Sequence, residues 1–279
     1  MSFRSRYGPW AVVAGGSDGI GAEFAAQLAG RGLNLVIVAR RSALLEEVAR
    51  RTVDEFGVEV RALSLDLSKR DQVEGLLAAT TELDVGLLVC NAAMATISPF
   101  LDEPTGSHER MIDLNIRMPL LLSLELGRRM RKAGRGGIIL LSSMAAFQGT
   151  ELAAHYAATK AYLRILAEGL WAELRSAGVD VLAVCPATVN TPTFLREEPQ
   201  RGGWLVPATL ESGFVVAASL KALGRKPVVV PGAQSALAVF AAERLLPRRL
   251  VIALTGRGTK AMYRPRWETL RNGNERAVK

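Results

Sequence analysis

The chain has 279 residues, 49% of them apolar, and a formal net charge of +8. This size and composition predict one folded domain with a sizeable core, and they exclude a disordered or collagen-like protein. No stretch approaches the ~18 consecutive apolar residues of a transmembrane helix, and the N-terminus lacks the apolar centre of a signal peptide. We therefore expect a cytoplasmic protein, with membrane association through its C-terminus as the alternative.

Seven short apolar runs alternate with longer segments of helical period. The expected strands are Trp10–Ala14, Asn34–Val38, Glu59–Leu65, Gly86–Cys90, Gly137–Ser142, Val179–Cys185 and Pro227–Val230. The expected helices are Gly19–Arg31, Ser42–Phe56 with Ser42 as N-cap, Lys69–Leu83, Thr105–Ala133, Thr150–Ala177 and parts of 208–224. Apolar strands joined by helices predict an α/β, Rossmann-like, doubly wound parallel sheet of about seven strands with helices on both faces.

The positive charge is concentrated near the C-terminus. Residues 243–279 carry ten Arg and Lys against three Glu, a net charge of +7, so the rest of the chain is almost neutral. A solvated terminus, a peripheral membrane contact and a contact with a partner protein all remain open for this tail. We expect no nucleic acid partner, because no recognised binding motif accompanies the charge.

The two cysteines, Cys90 and Cys185, each close an apolar run. Buried free thiols explain this position better than a disulfide or a catalytic thiol, and they favour a reducing compartment. No Cys and His cluster has the spacing of metal ligands, so we expect no metal site.

A glycine-rich turn follows the first strand directly and opens a helix. It reads Gly15-Gly16-Ser17-Asp18-Gly19-Ile20-Gly21. Glycines permit a tight turn and a close backbone approach, and the helix N-terminus offers free N–H groups to a pyrophosphate. In this strand-turn-helix context the motif predicts a dinucleotide site.

The second strand ends at Ala39-Arg40-Arg41. An Asp or Glu at this point would bind the ribose 2′-hydroxyl of NAD, whereas guanidinium groups favour the 2′-phosphate of NADP. Arg40 and Arg41 therefore predict NADP(H) as the preferred cofactor over NAD(H). Solvated surface charges are the alternative.

Tyr156 and Lys160 are four residues apart on one helix face, and Ser143 ends the fifth strand. A phenol with a pKa of about 10 exchanges protons poorly at neutral pH, and an ammonium about 4 Å away could lower that pKa by several units. We expect Lys160 to act on Tyr156 in this way, and Ser143 to hold a substrate oxygen beside the phenol.

The order and spacing of these motifs resemble a classical short-chain dehydrogenase/reductase over roughly residues 8–232. The residues that carry the resemblance are 14–21, Asp66-Leu67, Asn91-Ala92-Ala93, Asn115, Ser143, Tyr156 to Lys160 and Pro186 to Thr191. Within the family the chain looks closest to the hydroxysteroid dehydrogenase and long-chain 3-oxoacyl-CoA reductase branch. We accordingly take residues 1–232 as a single catalytic domain and 233–279 as an apolar and basic extension.

The resemblance implies a role for each matching residue. Tyr156 would be the general acid and base, Ser143 the substrate anchor, Lys160 the tuner of Tyr156 and binder of the nicotinamide ribose, and Asn115 the holder of a relay water. The expected cofactor-binding residues are Gly15, Ser17, Asp18, Gly19, Ile20, Arg40, Arg41, Asp66, Leu67, Asn91, Ala92, Tyr156, Lys160, Pro186, Val189 and Thr191. Ser142 becomes structural.

The resemblance also implies that residues 191–213 cover the substrate. With Met94, Met144, Phe194 and Trp204, and with Phe147 and Phe214 nearby, they predict a largely apolar pocket for a lipophilic ketone or secondary alcohol such as a steroid or fatty-acyl compound. We expect a homodimer or homotetramer. The alternative is an inactive dinucleotide-binding regulatory or scaffold protein.

Overall fold

The computed structural model of the chain describes residues 2–195 and 209–263. Its centre is a parallel sheet of seven strands in the order β3-β2-β1-β4-β5-β6-β7. The strands are β1 (Trp10–Ala14), β2 (Asn34–Ala39), β3 (Val60–Ser64), β4 (Val85–Cys90), β5 (Gly136–Leu141), β6 (Val179–Val184) and β7 (Val228–Val229). The predicted α/β fold is confirmed, and every predicted strand is present within one or two residues of its expected ends.

Helices cover both faces of the sheet. Those up to the fifth strand are α1 (Phe3–Tyr7), α2 (Gly19–Ala29), α3 (Ser42–Phe56), α4 (Arg70–Ala79), α5 (Thr105–Ile112) and α6 (Met118–Ala133). Those that follow are α7 (Ala154–Leu174), α8 (Pro192–Leu195), α9 (Ser212–Ala222), α10 (Ala233–Arg244) and α11 (Arg248–Met262). Two apolar cores result, one on each side of the sheet, because β1, β4, β5 and β6 are buried along their whole length.

The strand order reverses direction beside β1. The chain runs from β1 outward to β2 and β3, and then returns to β4 on the other side of β1. The connections that leave the carboxyl ends of β1 and β4 therefore diverge and open a crevice, which is where ligands bind in sheets of this kind. The glycine-rich turn follows β1, and Asn91 follows β4, so both lie at this crevice.

The helix predicted over Thr105–Ala133 is interrupted. A π-helical turn, Asp113–Arg117, separates α5 from α6. Asn115 lies in this turn with its side chain fully buried. A π turn inserts one extra residue into the helix, which changes the direction in which that residue points, and this is why such turns are frequent at functional sites.

The prediction that Ser42 is the N-cap of α3 is wrong. Ser42 is the first helical residue, and Arg41 occupies the cap position without a capping side-chain hydrogen bond. The Arg41 guanidinium instead contacts Asp18 in the glycine-rich turn. No side chain caps the N-terminus of α3, and the residue at the cap position contacts the glycine-rich turn.

The extension after residue 232 forms α10 and α11 and packs on the rest of the fold. Arg248 donates a hydrogen bond to the Phe147 carbonyl at 2.6 Å, and Lys260 pairs with Glu151 at 2.6 Å. Within the described part of the chain, no helix combines the length and the hydropathy needed to span a bilayer. Of the basic tail, residues 243–263 include the end of α10 and all of α11, and residues 264–279 lie outside the described residues. None of these observations decides between its three interpretations.

Candidate active site

The turn after β1 is too tightly packed for side chains. Gly15 has a φ of 91°, and a Cβ atom there would come within 2.6 Å of the Ala92 backbone nitrogen. A Cβ on Gly21 would lie only 1.8 Å from the Gly15 carbonyl oxygen. Glycine at these two positions lets α2 begin close to the sheet, with its N-terminus open to the crevice.

A cavity of about 590 Å³ lies over this turn. Its lining contains most of the residues predicted to bind the cofactor, namely Gly15, Ser17, Asp18, Gly19, Ile20, Arg40, Arg41, Asp66, Leu67, Asn91, Ala92 and Thr191. Asn91 supports the turn itself, because its amide donates to the Gly15 carbonyl at 2.8 Å. The shape and the donor groups fit a dinucleotide.

The two arginines at the end of β2 differ in their contacts. The Arg41 guanidinium donates to the Asp18 carboxylate at 2.9 Å across the cavity wall. Arg40 is exposed and makes no ion pair with any residue in 2–195 or 209–263, although its charge helps to lower the pKa of Asp66. A negatively charged ligand at this end of the cavity would therefore face two guanidinium groups, one of which is held in place.

Asp66 is part of the opposite wall. Burial raises the pKa of this carboxyl, but hydrogen bonds from Ser68 and the charges of Arg110 and Arg40 outweigh burial and bring the pKa below its usual range. The Ser68 hydroxyl donates to it at 2.8 Å, and Arg110 pairs with it at 3.3 Å. Asp66 is therefore an ionised acceptor at the cavity wall.

A second cavity of about 430 Å³ adjoins the first. Ile20, Asn91, Ala93 and Thr191 line both cavities and so mark the boundary between them. The other lining residues come from the second half of the chain, and Ser143, Tyr156, Lys160, Pro186 and Val189 are among them. The structure thus brings together the residues that we predicted from three separate segments.

Ser143 and Tyr156 form the polar centre of the second cavity. Ser143 caps a short 3₁₀ turn, accepting a hydrogen bond from the Ala145 amide, and it makes a side-chain contact with the Tyr156 phenol. Burial raises the pKa of Tyr156, and the Ser143 hydrogen bond partly opposes that rise. In this geometry the phenol is protonated at neutral pH and can donate.

Lys160 is anchored at the end of β5 and approaches the Tyr156 ring. Its Nζ donates to the Leu141 carbonyl at 2.7 Å and lies 5.7 Å from the centre of the Tyr156 ring. The pKa of Tyr156 is raised and not lowered as we predicted, because burial outweighs the Ser143 hydrogen bond, and tuning of Tyr156 by Lys160 stays a prediction. Ser142 is structural in position, because its hydroxyl donates to the Lys160 carbonyl at 2.7 Å.

Lys160 is only 3% exposed as a residue, and its ammonium donates to a main-chain carbonyl. Desolvation lowers the pKa of Lys160 from 10.5 to about 8. The unfolded chain therefore binds this proton more tightly than the folded chain between pH 8 and 10.5. Below pH 8 the folded state bears the full cost of burying the charged ammonium. As the pH rises from 8 to 10.5 the folded chain loses this proton first, and the free energy of unfolding increases.

We expect Lys160→Met to remove this pH dependence. The free energy of unfolding of the wild type, measured relative to Lys160→Met, should increase by about 3 kcal/mol between pH 7 and pH 10. Urea unfolding of both proteins at the two pH values measures the difference. Lys221→Met, at an exposed lysine of α9, is the matched control for loss of one positive charge. Parallel pH curves for wild type and Lys160→Met would contradict the buried ammonium.

Asn115 uses its whole side chain for internal hydrogen bonds. Its Oδ1 accepts from the Met94 amide at 2.9 Å, and its Nδ2 donates to the Met94 carbonyl at 2.8 Å and to the Thr159 hydroxyl at 3.0 Å. The side chain therefore joins the π turn, the segment after β4 and α7. A relay water held by Asn115 stays a prediction.

The predicted substrate pocket is correct in part. Met144 and Phe194 line the second cavity, whereas Met94 does not, because its backbone is held by Asn115 and its side chain packs against the core. Phe147 is buried in the core, Phe214 is exposed on α9, and Trp204 lies outside the described residues. The lining is mainly apolar, as predicted, and Gln148, Thr150, Thr188 and Thr255 add polar groups to it.

The residues that sequence reasoning missed are on α11. Thr255, Gly258, Thr259, Met262 and Tyr263 line the second cavity opposite Ser143 and Tyr156. The Thr150 and Thr259 hydroxyls are 3.0 Å apart, so the same face of the helix is joined to the loop that follows Ser143. No motif marks this helix, and only its apolar residues at helical spacing could have indicated that it packs on the domain.

Comparison with known proteins is consistent with this geometry. The family model described as short chain dehydrogenase matches residues 9–202. The chain belongs to the short-chain dehydrogenase family. The match includes the glycine-rich turn, Asn115, Ser143, Tyr156 and Lys160, so the resemblance stated from the motifs is confirmed.

Two curated relatives represent the branch that the motifs indicated. A 7beta-hydroxysteroid dehydrogenase of Clostridium sardiniense is 33% identical over 233 residues, which are 83% of this chain and 88% of the relative. A very-long-chain 3-oxoacyl-CoA reductase of Anas platyrhynchos is 32% identical over 205 residues, 69% of this chain and 66% of the relative. This short-chain dehydrogenase is therefore an oxidoreductase of the class that acts on CH–OH donors.

Two solved structures are also similar. One, from a study of 7beta-hydroxysteroid dehydrogenase stereoselectivity, superposes with a TM-score of 0.86 at 27% identity and covers 92% of this chain and all of its own. A short-chain dehydrogenase from Sphingobium yanoikuyae in complex with NADPH has a TM-score of 0.72 at 32% identity, covering 80% of this chain and 86% of its own. Members of the family bind NAD(P)(H).

Proposed function

We propose that this short-chain dehydrogenase interconverts a ketone and a secondary alcohol on a lipophilic substrate, with NADP(H) preferred over NAD(H). The observation that carries the proposal is the position of Ser143 and Tyr156 in a cavity that opens directly onto the glycine-rich cavity containing Arg40 and Arg41. A substrate oxygen in the second cavity would be close both to a proton donor and to a bound dinucleotide.

The chemistry divides between the cofactor and the protein. When bound, the nicotinamide dinucleotide supplies the hydride for reduction or accepts it in oxidation. Ser143 donates a hydrogen bond to the substrate oxygen and orients it toward Tyr156. In reduction the Tyr156 phenol transfers its proton to that oxygen as the carbonyl becomes an alcohol, and in oxidation it receives the proton back.

The remaining assigned residues hold this arrangement. Lys160 contributes a buried cation behind Tyr156, and this charge favours the phenolate that is left after proton transfer. Asn115 fixes α7 against the π turn through Thr159. Pro186, Val189 and Thr191, which follow β6, form the wall on which the nicotinamide would rest.

The preference for NADP(H) rests on charge. The end of β2 has no acidic residue to accept a ribose hydroxyl, and the two guanidinium groups would instead pair with the 2′-phosphate. The relative from Sphingobium yanoikuyae, which was solved with NADPH, supports the same preference.

The substrate class rests on the relatives and on the cavity lining. Met144, Phe194 and Met262 offer apolar contact, while Thr150, Thr255 and Thr259 offer hydroxyl groups. This combination suits a mostly apolar molecule with more than one oxygen, as in a hydroxylated steroid, better than an unbranched alkyl chain. A fatty-acyl thioester is the second candidate, supported by the 3-oxoacyl-CoA reductase relatives.

Purified full-length protein should oxidise NADPH with oxo-steroids faster than with 3-oxoacyl-CoA or simple aromatic ketones. Initial rates with each substrate and with NADPH or NADH measure this preference. Thr259→Val tests the pocket, because it keeps the volume and removes the hydroxyl, and Thr81→Val on the surface is the matched control. If cofactor binds but no carbonyl compound is reduced, an inactive dinucleotide-binding regulatory or scaffold protein becomes the better assignment.

We also propose a homodimer or homotetramer. Exposed apolar side chains on α6 and α7, which are Leu120, Leu124 and Ile165, support it. For the basic tail, residues 243–279, a peripheral membrane contact is the alternative to a solvated terminus or a contact with a partner protein.

A further inference from the structure

The two histidines of the chain are in contact with each other. His108 on α5 and His155 at the start of α7 have their Nδ1 atoms 2.7 Å apart. The chain contains no other histidine. Neither residue has a role in the proposed reaction, yet His155 directly precedes Tyr156.

This contact joins two segments that lie on one side of the catalytic tyrosine. The His108 Nε2 lies 3.0 Å from the Phe100 carbonyl, and the Phe100 ring packs at 4.6 Å from the His108 ring. The Ser98 amide donates to the Leu152 carbonyl at 2.9 Å. Leu152 has a φ of 65°, the only positive value among the described non-glycine residues, so its backbone is held in a strained conformation by its surroundings.

Hydrogen-bond chemistry limits how many protons the pair can carry. A carbonyl only accepts, so His108 must carry its proton on Nε2 and, when neutral, accept at Nδ1. His155 then donates from Nδ1. One added proton can enter at His155 Nε2 and leave this bond intact, whereas a second would place N–H groups on both Nδ1 atoms and break it.

We propose that His108 and His155 are positioning residues whose Nδ1–Nδ1 hydrogen bond holds the first turn of α7, and hence Tyr156, against the segment after β4. We call this hydrogen bond the histidine clamp. Uptake of the second proton breaks it and lowers turnover at acid pH. The role of Tyr156 in this inference rests on the proposed function, but the clamp itself is a property of the ligand-free chain.

The surroundings agree with a single bound proton. Burial and the neighbouring His108 charge both lower the pKa of His155. The other titratable groups lining the small cavity around the pair are Glu103 from the preceding loop and Tyr156 from α7. Further charges on these segments are Asp102 in the Phe100 turn, Glu109 and Arg110 on α5, and Glu151 before α7, which pairs with Lys260.

Histidine NMR on the full-length protein without ligands tests the clamp directly. With only two histidines to observe, we expect uptake of one proton by the pair between pH 8 and about pH 5, and of the second only below that range. Two independent titrations near the ordinary histidine pKa would overturn the inference. This readout does not depend on substrate or on the assignment of Tyr156.

Activity then separates positioning from a purely structural role. His108→Asn keeps an acceptor for His155 but cannot be protonated, so its kcat/KM should fall less than twofold between pH 6 and pH 4, where uptake of the second proton lowers the wild-type value by about fivefold. His108→Phe, which removes the bond, should lower kcat by about tenfold at pH 7.5 while the KM for NADPH stays unchanged. Superimposable pH profiles for wild type and both variants would refute the clamp as a positioning device.

Discussion

Replacing Tyr156 with phenylalanine is expected to lower kcat by about 10³-fold while the Kd for NADPH stays within about threefold of the wild-type value. The substitution removes one hydroxyl and retains the ring that packs in the wall of the second cavity. Proton transfer by a positioned acid is worth about 10²–10⁴ in rate, and the phenol is the group that we assign to it. Steady-state turnover and fluorescence titration with NADPH measure the two quantities.

Tyr162→Phe is the matched control for this experiment. Tyr162 is on the same helix, and its ring packs against the core and away from both cavities. It should retain wild-type turnover and stability within about twofold, because no proton transfer is assigned to it. Undiminished turnover in Tyr156→Phe would remove Tyr156 from the mechanism, whereas wild-type protein that binds NADPH without any turnover would favour the scaffold interpretation.

The double substitution Arg40→Ala and Arg41→Ala is expected to have the second largest effect. Charge-assisted hydrogen bonds to a phosphate contribute about 1.5–3 kcal/mol each, so kcat/KM for NADPH should fall by about 10²-fold or more. The kcat/KM for NADH should change by less than about threefold, because NADH lacks the 2′-phosphate and does not make the contacts that the substitutions remove. Kinetics with both cofactors at constant ionic strength measure the change in preference.

Arg50→Ala provides the control. Arg50 is on the same helix as Arg41 but is exposed and pairs with Asp54, outside the cavity lining. Asp18→Asn adds a finer test, because it removes the charge that holds Arg41 and should weaken NADPH binding less than loss of Arg41 itself. A wild-type protein that prefers NADH would contradict the assignment before any variant is made.

Local patterns predicted most of what surrounds the cofactor cavity. The strand, the glycines and the helix that follows are contiguous in sequence. Gly15 and Gly21 must be glycine because a Cβ atom at either position would clash with backbone atoms at the turn. Ser143, Tyr156 and Lys160 were found because helical spacing and the end of a strand define their positions within a few residues.

The errors all involve contacts between distant segments. At the π turn, Asn115 accepts a hydrogen bond from the Met94 amide and donates one to the Met94 carbonyl, and this partner is 21 residues away in the chain. Helical spacing puts Lys160 on the same helix face as Tyr156, but it gives no sign that the Leu141 carbonyl on β5 holds the ammonium. Helix propensity and periodicity carry no information about such partners, and they could not place α11 over the second cavity.

The two cavities draw on different parts of the chain. Apart from Thr191, the lining of the first comes from residues 15–114, and apart from Ile20, Asn91 and Ala93 the lining of the second comes from residues 141–263. Under the function proposed above, cofactor choice and substrate scope therefore belong to consecutive stretches of the chain. A single crossover within α6 would recombine them between relatives, and each parent would pass on one of the two properties nearly intact.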